Sequence, residues 1–196
     1  MNTGTLGILL AGGRGERLGL GRPKALAELH GLTLLERACR TLAPLCEVTV
    51  VAAPAEMTLS LPQGALRLLD PGLGPLGGVA VAAQTLRCER AVVLGVDFPL
   101  LQSVTLQALL ERLEGRAAVV PAPGGRAQPL AAVYSAAGLV SLSDVFEQGE
   151  RSIVAAIRTL DVLLLDDAEL AMLPGGSEGF VDVDTPEALA KAEERV

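Results

Sequence analysis

The chain has 196 residues, half of them hydrophobic, which is material for one continuous core and speaks against two packed domains. A net charge of −7 excludes a broad surface for nucleic acid or anionic membrane, and 2% aromatics without Trp leave nothing on which single-stranded bases can stack. The three cysteines, Cys39, Cys46 and Cys88, show no C-x-x-C or zinc-ligand spacing, so buried reduced thiols are expected in place of a disulfide framework or a structural metal.

The first element is an apolar run at residues 5–11, read as a strand covered on both faces. A helix is predicted over 32–43, where Leu34, Leu35, Ala38 and Leu42 keep helical spacing and Pro44 follows as a stop. Strands follow at 47–53 and near 66–69. The Pro- and Gly-rich stretch 70–75 must be a loop, and a helix over 75–86 carries Leu76, Val79, Ala80, Ala83 and Leu86 on one side. A strand at 91–96 precedes another at 117–121, after which Pro123-Gly124-Gly125 marks a hairpin turn and residues 130–134 return as a strand. Helical patterns occupy 137–147 and 150–159, a strand lies near 161–166, and 174–179 form a glycine-rich loop. The segment Phe180-Val181-Asp182-Val183-Asp184 is strand-like and leads into a last helix with Thr185 as N-cap and Pro186 in its first turn. This alternation predicts a single-domain α/β fold over residues 1–196, three layers α/β/α around a mostly parallel, Rossmann-like sheet. No basic region precedes the first apolar run and no run reaches the ~18 apolar residues of a membrane span, so a cytoplasmic enzyme is expected.

In open α/β sheets ligands bind beyond the carboxyl ends of the strands, which directs attention to four places. After the first strand comes Leu10-Ala11-Gly12-Gly13-Arg14-Gly15-Glu16-Arg17-Leu18-Gly19, then Arg22 and Lys24. The glycines let backbone N–H groups approach a phosphate, and the basic residues form a cationic island with Glu16 as the sole local acid. It is neither a Walker loop nor G-x-G-x-x-G, and the second strand ends in Ala52-Ala53 without a ribose-binding acid, which argues against an oxidoreductase. Asp70 and Asp97 stand at two further strand ends. Asp182 and Asp184, two apart in a strand, would share one face with Val181 and Val183 on the other. A carboxylate at Asp97, paired across the cleft with this last segment, would suit Mg²⁺, a cation of hard oxygen ligands. No G-x-S-x-G elbow and only one histidine, His30, are present, so covalent catalysis is not expected. Positioning, a metal and cations, the needs of phosphoryl or nucleotidyl transfer, remain.

These residues resemble the molybdenum cofactor guanylyltransferases of the MobA type, within the nucleotidyltransferase superfamily. The resemblance spans nearly the whole chain. It rests on Leu10-Ala11-Gly12-Gly13 with Arg17, Gly19 and Lys24; on Asp70 with Gly74-Pro75-Leu76-Gly77-Gly78; on Asp97-Phe98-Pro99-Leu100; on Gln128-Pro129-Leu130 with Tyr134; on Gly149-Glu150-Arg151; and on Val183-Asp184-Thr185-Pro186-Glu187. It implies the fold of the nucleotide-diphospho-sugar transferases and the transfer of GMP from GTP to molybdopterin with release of pyrophosphate. In that picture Leu10, Ala11, Gly12 and Gly13 lie under base and ribose, Arg17 and Lys24 hold the triphosphate, Asp70 touches the nucleoside, and Asp97 carries Mg²⁺ with Asp184 as second metal ligand. GTP and molybdopterin are then the partners, with transient contacts to cofactor-delivery proteins or molybdoenzymes left open. The alternatives are a CTP- or sugar-phosphate-using relative and a non-catalytic nucleotide-binding module.

Overall fold

The computed structural model describes residues 2–19 and 21–195, with side chains for all of these except Asn2, Thr3 and Arg17. Nine strands and seven α-helices are described, in the order β1 (Asn2–Leu10), β2 (Glu28–Leu29), β3 (Leu32–Thr33), α1 (Leu34–Leu42), β4 (Val48–Ala53), β5 (Ala65–Leu69), α2 (Pro75–Thr85), β6 (Arg87–Gly95), α3 (Ser103–Glu111), β7 (Ala118–Pro121), β8 (Ala131–Ser135), α4 (Ala136–Glu147), α5 (Ile153–Ile157), β9 (Val162–Leu165), α6 (Asp167–Ala171) and α7 (Pro186–Glu193). Seven strands form the central sheet in the order β5-β4-β1-β6-β8-β7-β9. β1, β4, β5 and β6 run parallel, and β8 is antiparallel to both β6 and β7. The predicted α/β fold with a mostly parallel sheet is the fold observed.

Strand alternation divides the core into two layers. Leu6, Ile8 and Leu10 of β1 face α2, α4 and α5 through Leu76, Val79, Leu139, Leu142 and Ile153. Leu9 and Ala11 face α1 and α3 through Leu34, Leu35, Leu42, Leu106 and Leu109. The α1 helix begins with a capping box, in which the Thr33 hydroxyl accepts the Glu36 N–H and the Glu36 carboxylate accepts the Thr33 N–H. It is shorter than predicted because residues 32–33 belong to the β2–β3 hairpin. His30 and Gly31, both with positive φ, make the two-residue turn of that hairpin, and His30 Nε2 donates to Glu193 O at the end of α7. His30 therefore serves a surface turn.

The helix predicted over 150–159 is the shorter α5, started by Ser152, whose hydroxyl accepts the Ala155 N–H. The predicted hairpin is the β7–β8 pair, with Ala118 opposite Tyr134. β6 starts four residues earlier than expected, pairing Arg87 through Arg90 with β1. α3 and α6 are helices that the sequence reading passed over. The order of β4, β1 and β6 places the topological switch at the carboxyl end of β1, where the chain turns to one side for β4 and later to the other for β6.

Candidate active site

β1 ends at Leu10, but its neighbours hold the chain one residue further. Ala11 N–H donates to Ala52 O at 2.9 Å and Val96 N–H donates to Leu10 O at 3.2 Å. The backbone then leaves the sheet and returns, with Lys24 N–H donating to Gly13 O at 3.1 Å. Gly15 makes this return possible: it sits at φ 71°, and a Cβ there would fall 2.8 Å from Arg22 O. The result is to bring Lys24 back over the glycine loop with its side chain only 7% exposed.

Lys24 Nζ lies 2.7 Å from Asp97 Oδ1 and also pairs with Asp184 Oδ1. The two carboxylates come from distant segments, which are tied by one backbone bond, Val183 N–H to Asp97 O at 2.8 Å. This corrects the expected strand at 180–184: the segment has no sheet partner among the described residues, and its alternating pattern does not sort the valines onto one buried face. Val183 is buried, whereas Val181 is 46% exposed. The island is cationic in local sequence only, and the fold brings acids to it. Lys24 is countered by acids 73 and 160 residues away, and Arg22 lies 3.7 Å from Glu28. Burial pushes the Asp97 carboxyl above the usual carboxylate range, Lys24 pulls it back down, and the charges of Asp184 and Asp182 push it up again.

Two clefts meet at this cluster. One, of about 680 Å³, runs from Asp97 and Lys24 past Gly13 and Gly12 to Pro54 and Gly72. The other, of about 760 Å³, extends the opposite way, between Arg126 and Gln128 on one side and Ile153, Val154 and Arg158 on the other. Asp97, Leu130 and Asp184 belong to both walls. Leu130 is set there by its backbone, since Gly95 N–H donates to Leu130 O at 2.7 Å, while the buried Tyr134 hydroxyl donates to Pro129 O at 2.9 Å.

Of the residues singled out in the sequence, Leu10, Gly12, Gly13, Lys24, Asp97 and Asp184 line the first cleft together. Ala11 is fully buried with its N–H committed to Ala52. Asp70 stands behind the wall: its Oδ1 accepts the Gly72 N–H at 2.8 Å, and its Oδ2 lies 3.6 Å from where a Cβ on Gly12 would be. Burial raises the Asp70 carboxyl above its ordinary value, and the Gly72 bond opposes that shift. Asp182 lines the second cleft and stays outside the Lys24 pair. The Arg17 side chain lies outside the described residues; its backbone forms part of a short helical turn, Glu16–Leu18. The motif Gly149-Glu150-Arg151 is structural. The Glu150 carboxylate accepts the Arg151 and Ser152 N–H groups, and the Arg151 guanidinium sits 4.4 Å above the Phe146 ring. Sequence reading missed Glu56, Arg126 and Arg158, which stand on irregular or short elements with no recognisable spacing.

Residues 7–162 match the model of the MobA-like NTP transferase domain. The chain belongs to the MobA-like NTP transferase family. Among its relatives are a probable molybdenum cofactor guanylyltransferase from Chloroflexus aggregans, 34% identical over 93% of this chain and 90% of that protein. Another is a molybdenum cofactor guanylyltransferase from Rhodobacter capsulatus, 32% identical over 97% and 95% of the two chains. The crystal structure of molybdopterin-guanine dinucleotide biosynthesis protein A from Archaeoglobus fulgidus superposes with a TM-score of 0.78 at 24% identity, covering 97% of both chains. In this MobA-like chain Asp184 lies beyond the matched span, so the carboxylate pair joins the matched segment to the tail that follows it.

Proposed function

We propose that this MobA-like enzyme transfers GMP from GTP to the terminal phosphate of molybdopterin, yielding molybdopterin guanine dinucleotide and pyrophosphate, and that residues 1–196 act as one nucleotidyltransferase domain. The carrying observation is the pair of clefts that share the Asp97–Lys24–Asp184 cluster: two substrates can lie end to end with their reacting phosphates at the common wall. The nucleotide occupies the first cleft, with base and ribose over Leu10, Ala11, Gly12 and Gly13 and near Asp70, and the triphosphate toward Arg17 and Lys24. The acceptor occupies the second cleft.

The donor set fits Mg²⁺. Two carboxylate oxygens already converge on one cation, the Lys24 ammonium, and the charge on Asp97 is disfavoured where it stands, so added positive charge is welcome there. Among the described residues no group of three or more His, Cys, Asp or Glu side chains is arranged for a metal, so phosphate and water must complete the shell around Asp97 and Asp184. Bound there, Mg²⁺ would neutralise phosphate charge as a Lewis acid. An oxygen of the acceptor phosphate attacks the α-phosphorus of GTP, the bond from that phosphorus to the β-phosphate oxygen breaks, and pyrophosphate leaves with the electron pair. Lys24 has three N–H donors, two of them directed at the carboxylates, and the third is available to a triphosphate oxygen. Its charge offsets what develops on the leaving pyrophosphate.

Among the described residues no helix is long and apolar enough to cross a membrane, and we place the reaction in the cytoplasm, with transient contact to delivery proteins or molybdoenzymes at the acceptor side. The test is the product mass after incubation with molybdopterin, Mg²⁺ and each of the four nucleoside triphosphates. A guanine dinucleotide is expected. A cytosine product, or nucleotide binding with no product, would replace this reading with one of its alternatives.

A further inference from the structure

We infer that Glu56 selects the guanine ring, accepting hydrogen bonds from its N1–H and 2-amino groups; the assignment rests on the reading that the first cleft holds GTP. Three observations converge on it. First, the place is right. β4 and β6 lie on either side of β1, two strand spacings or about 10 Å apart. The end of β6 carries Asp97 beside Lys24, the phosphate end of the cleft, and the chain just beyond β4 carries Glu56, at the far end with Pro54 and Gly72. Gly12, under the nucleoside, is in direct touch with this far end, since a Cβ on it would lie 3.3 Å from Pro54 Cδ.

Second, the carboxylate is uncommitted. Four acids line this cleft: Glu16, Glu56, Asp97 and Asp184. Asp97 and Asp184 pair with Lys24, and Glu16 belongs to the cationic loop beside Arg14. Glu56 is exposed to the cleft and makes no hydrogen bond or ion pair among the described residues. A carboxylate is an acceptor with two oxygens, and guanine offers two adjacent donors on one edge. Adenine has no N1–H, and cytosine has an acceptor at N3 beside its one amino group.

Third, the turn that carries Glu56 is held. Residues 54–57 form a turn closed by Met57 N–H donating to Pro54 O at 3.1 Å. The Arg67 guanidinium, from β5, spans both ends of that turn through Nη2, donating to Pro54 O at 2.7 Å and to Met57 O at 2.8 Å. Arg67 is thus a positioning residue, and Glu56 is presented to the cleft on a fixed support.

Competition binding against a fluorescent guanine nucleotide tests the assignment without requiring turnover. The probes are GTP, ITP, which lacks the 2-amino group, and XTP, which carries a carbonyl in its place. Wild-type protein is expected to bind ITP about tenfold and XTP about a hundredfold more weakly than GTP. In Glu56→Gln the GTP affinity falls about tenfold or more and the XTP affinity rises, because the amide can donate to the carbonyl that the carboxylate repels. An unchanged thermal midpoint shows that the variant is folded. Equal ratios of GTP, ITP and XTP affinity in the two proteins, or equal binding of GTP and ITP by the wild type, would overturn the assignment. The two proposals separate cleanly: selective GTP binding that depends on Glu56, without transfer to molybdopterin, would leave this inference standing and remove the guanylyl transfer.

Discussion

Lys24 is a buried cation whose charge is shared by two acids, and this sets what its removal does. Lys24→Met removes the cation that Asp97 and Asp184 share and, on the proposed function, one donor to the triphosphate. Turnover is expected to fall by about 10²- to 10³-fold, measured as kcat at saturating GTP. The acids are not equivalent. Asp97 is the one whose charge is disfavoured by burial, and its backbone carbonyl receives the Val183 N–H. Asp97→Asn should therefore abolish detectable transfer, whereas Asp184→Asn should raise the Mg²⁺ concentration for half-maximal rate; titrating the metal in both variants distinguishes the two. A protonated Asp97 cannot ligate a metal, and its carboxyl is raised above the ordinary range. At limiting Mg²⁺ the acidic limb of the pH–rate profile should accordingly lie above where an ordinary aspartate would put it, and it should move to lower pH as Mg²⁺ is raised, because the cation favours the charged carboxylate. The residues at strand ends were readable as candidates because apolar runs stop there. That a lysine near the N-terminus would be clamped by two of them was not, since ion pairs across 73 and 160 residues leave no trace in local spacing.

Elements differ in how much of their role is written locally. The buried apolar stretches of β1, β4 and β6 were legible, though not the polar start of β6, and so was α2 from Pro75 and its apolar side, because a sheet covered on both faces admits little else. α6 carried a readable signal that was passed over, the Asp166–Glu169 capping box. α3 opens with Ser103, Val104 and Thr105 and has no side-chain cap, yet Leu106, Leu109, Leu110 and Leu113 keep the i, i+3, i+4, i+7 spacing of a buried helical face, so its signal too was readable. The misread segment 180–184 mimics a strand by alternation, yet hydrogen bonding to Asp97 decides its course. The turn between β7 and β8 matters most for the site, since it presents Leu130 to both clefts. Its anchor is the Tyr134 hydroxyl on Pro129 O. Tyr134→Phe should lower stability by about 1–2 kcal/mol in urea unfolding and, because Leu130 shifts, raise the KM for molybdopterin more than that for GTP.

At the scale of the whole molecule, the free thiols of Cys39 and Cys46 report on the integrity of the fold. Burial pushes Cys39 up to about 11 and Cys46 up to about 12, and raises Cys88 as well. Each binds its proton more tightly folded than unfolded. Their contribution to stability is complete below the ordinary thiol range and is lost as pH rises through the range up to 11 and 12. The thermal midpoint should hold steady near neutrality and fall steadily above about pH 9, and alkylation at pH 8 should be slow until denaturant is added. The overall architecture was legible from alternation of strands and helices. The second cleft was not, because its wall is assembled from the β7–β8 turn, α5 and β9, and although Gln128-Pro129-Leu130 carries part of the resemblance, nothing in its spacing points to a ligand.

The backbone bond from Val183 to Asp97 has a consequence for the order of assembly. A nascent chain that has already laid down all seven strands of the main sheet still lacks half of its acid clamp, because Asp184 comes after β9. On the proposed function such a partly synthesised molecule can embrace a nucleotide but has only Asp97 to hold the metal, so it should turn over only at raised Mg²⁺ until the tail has docked.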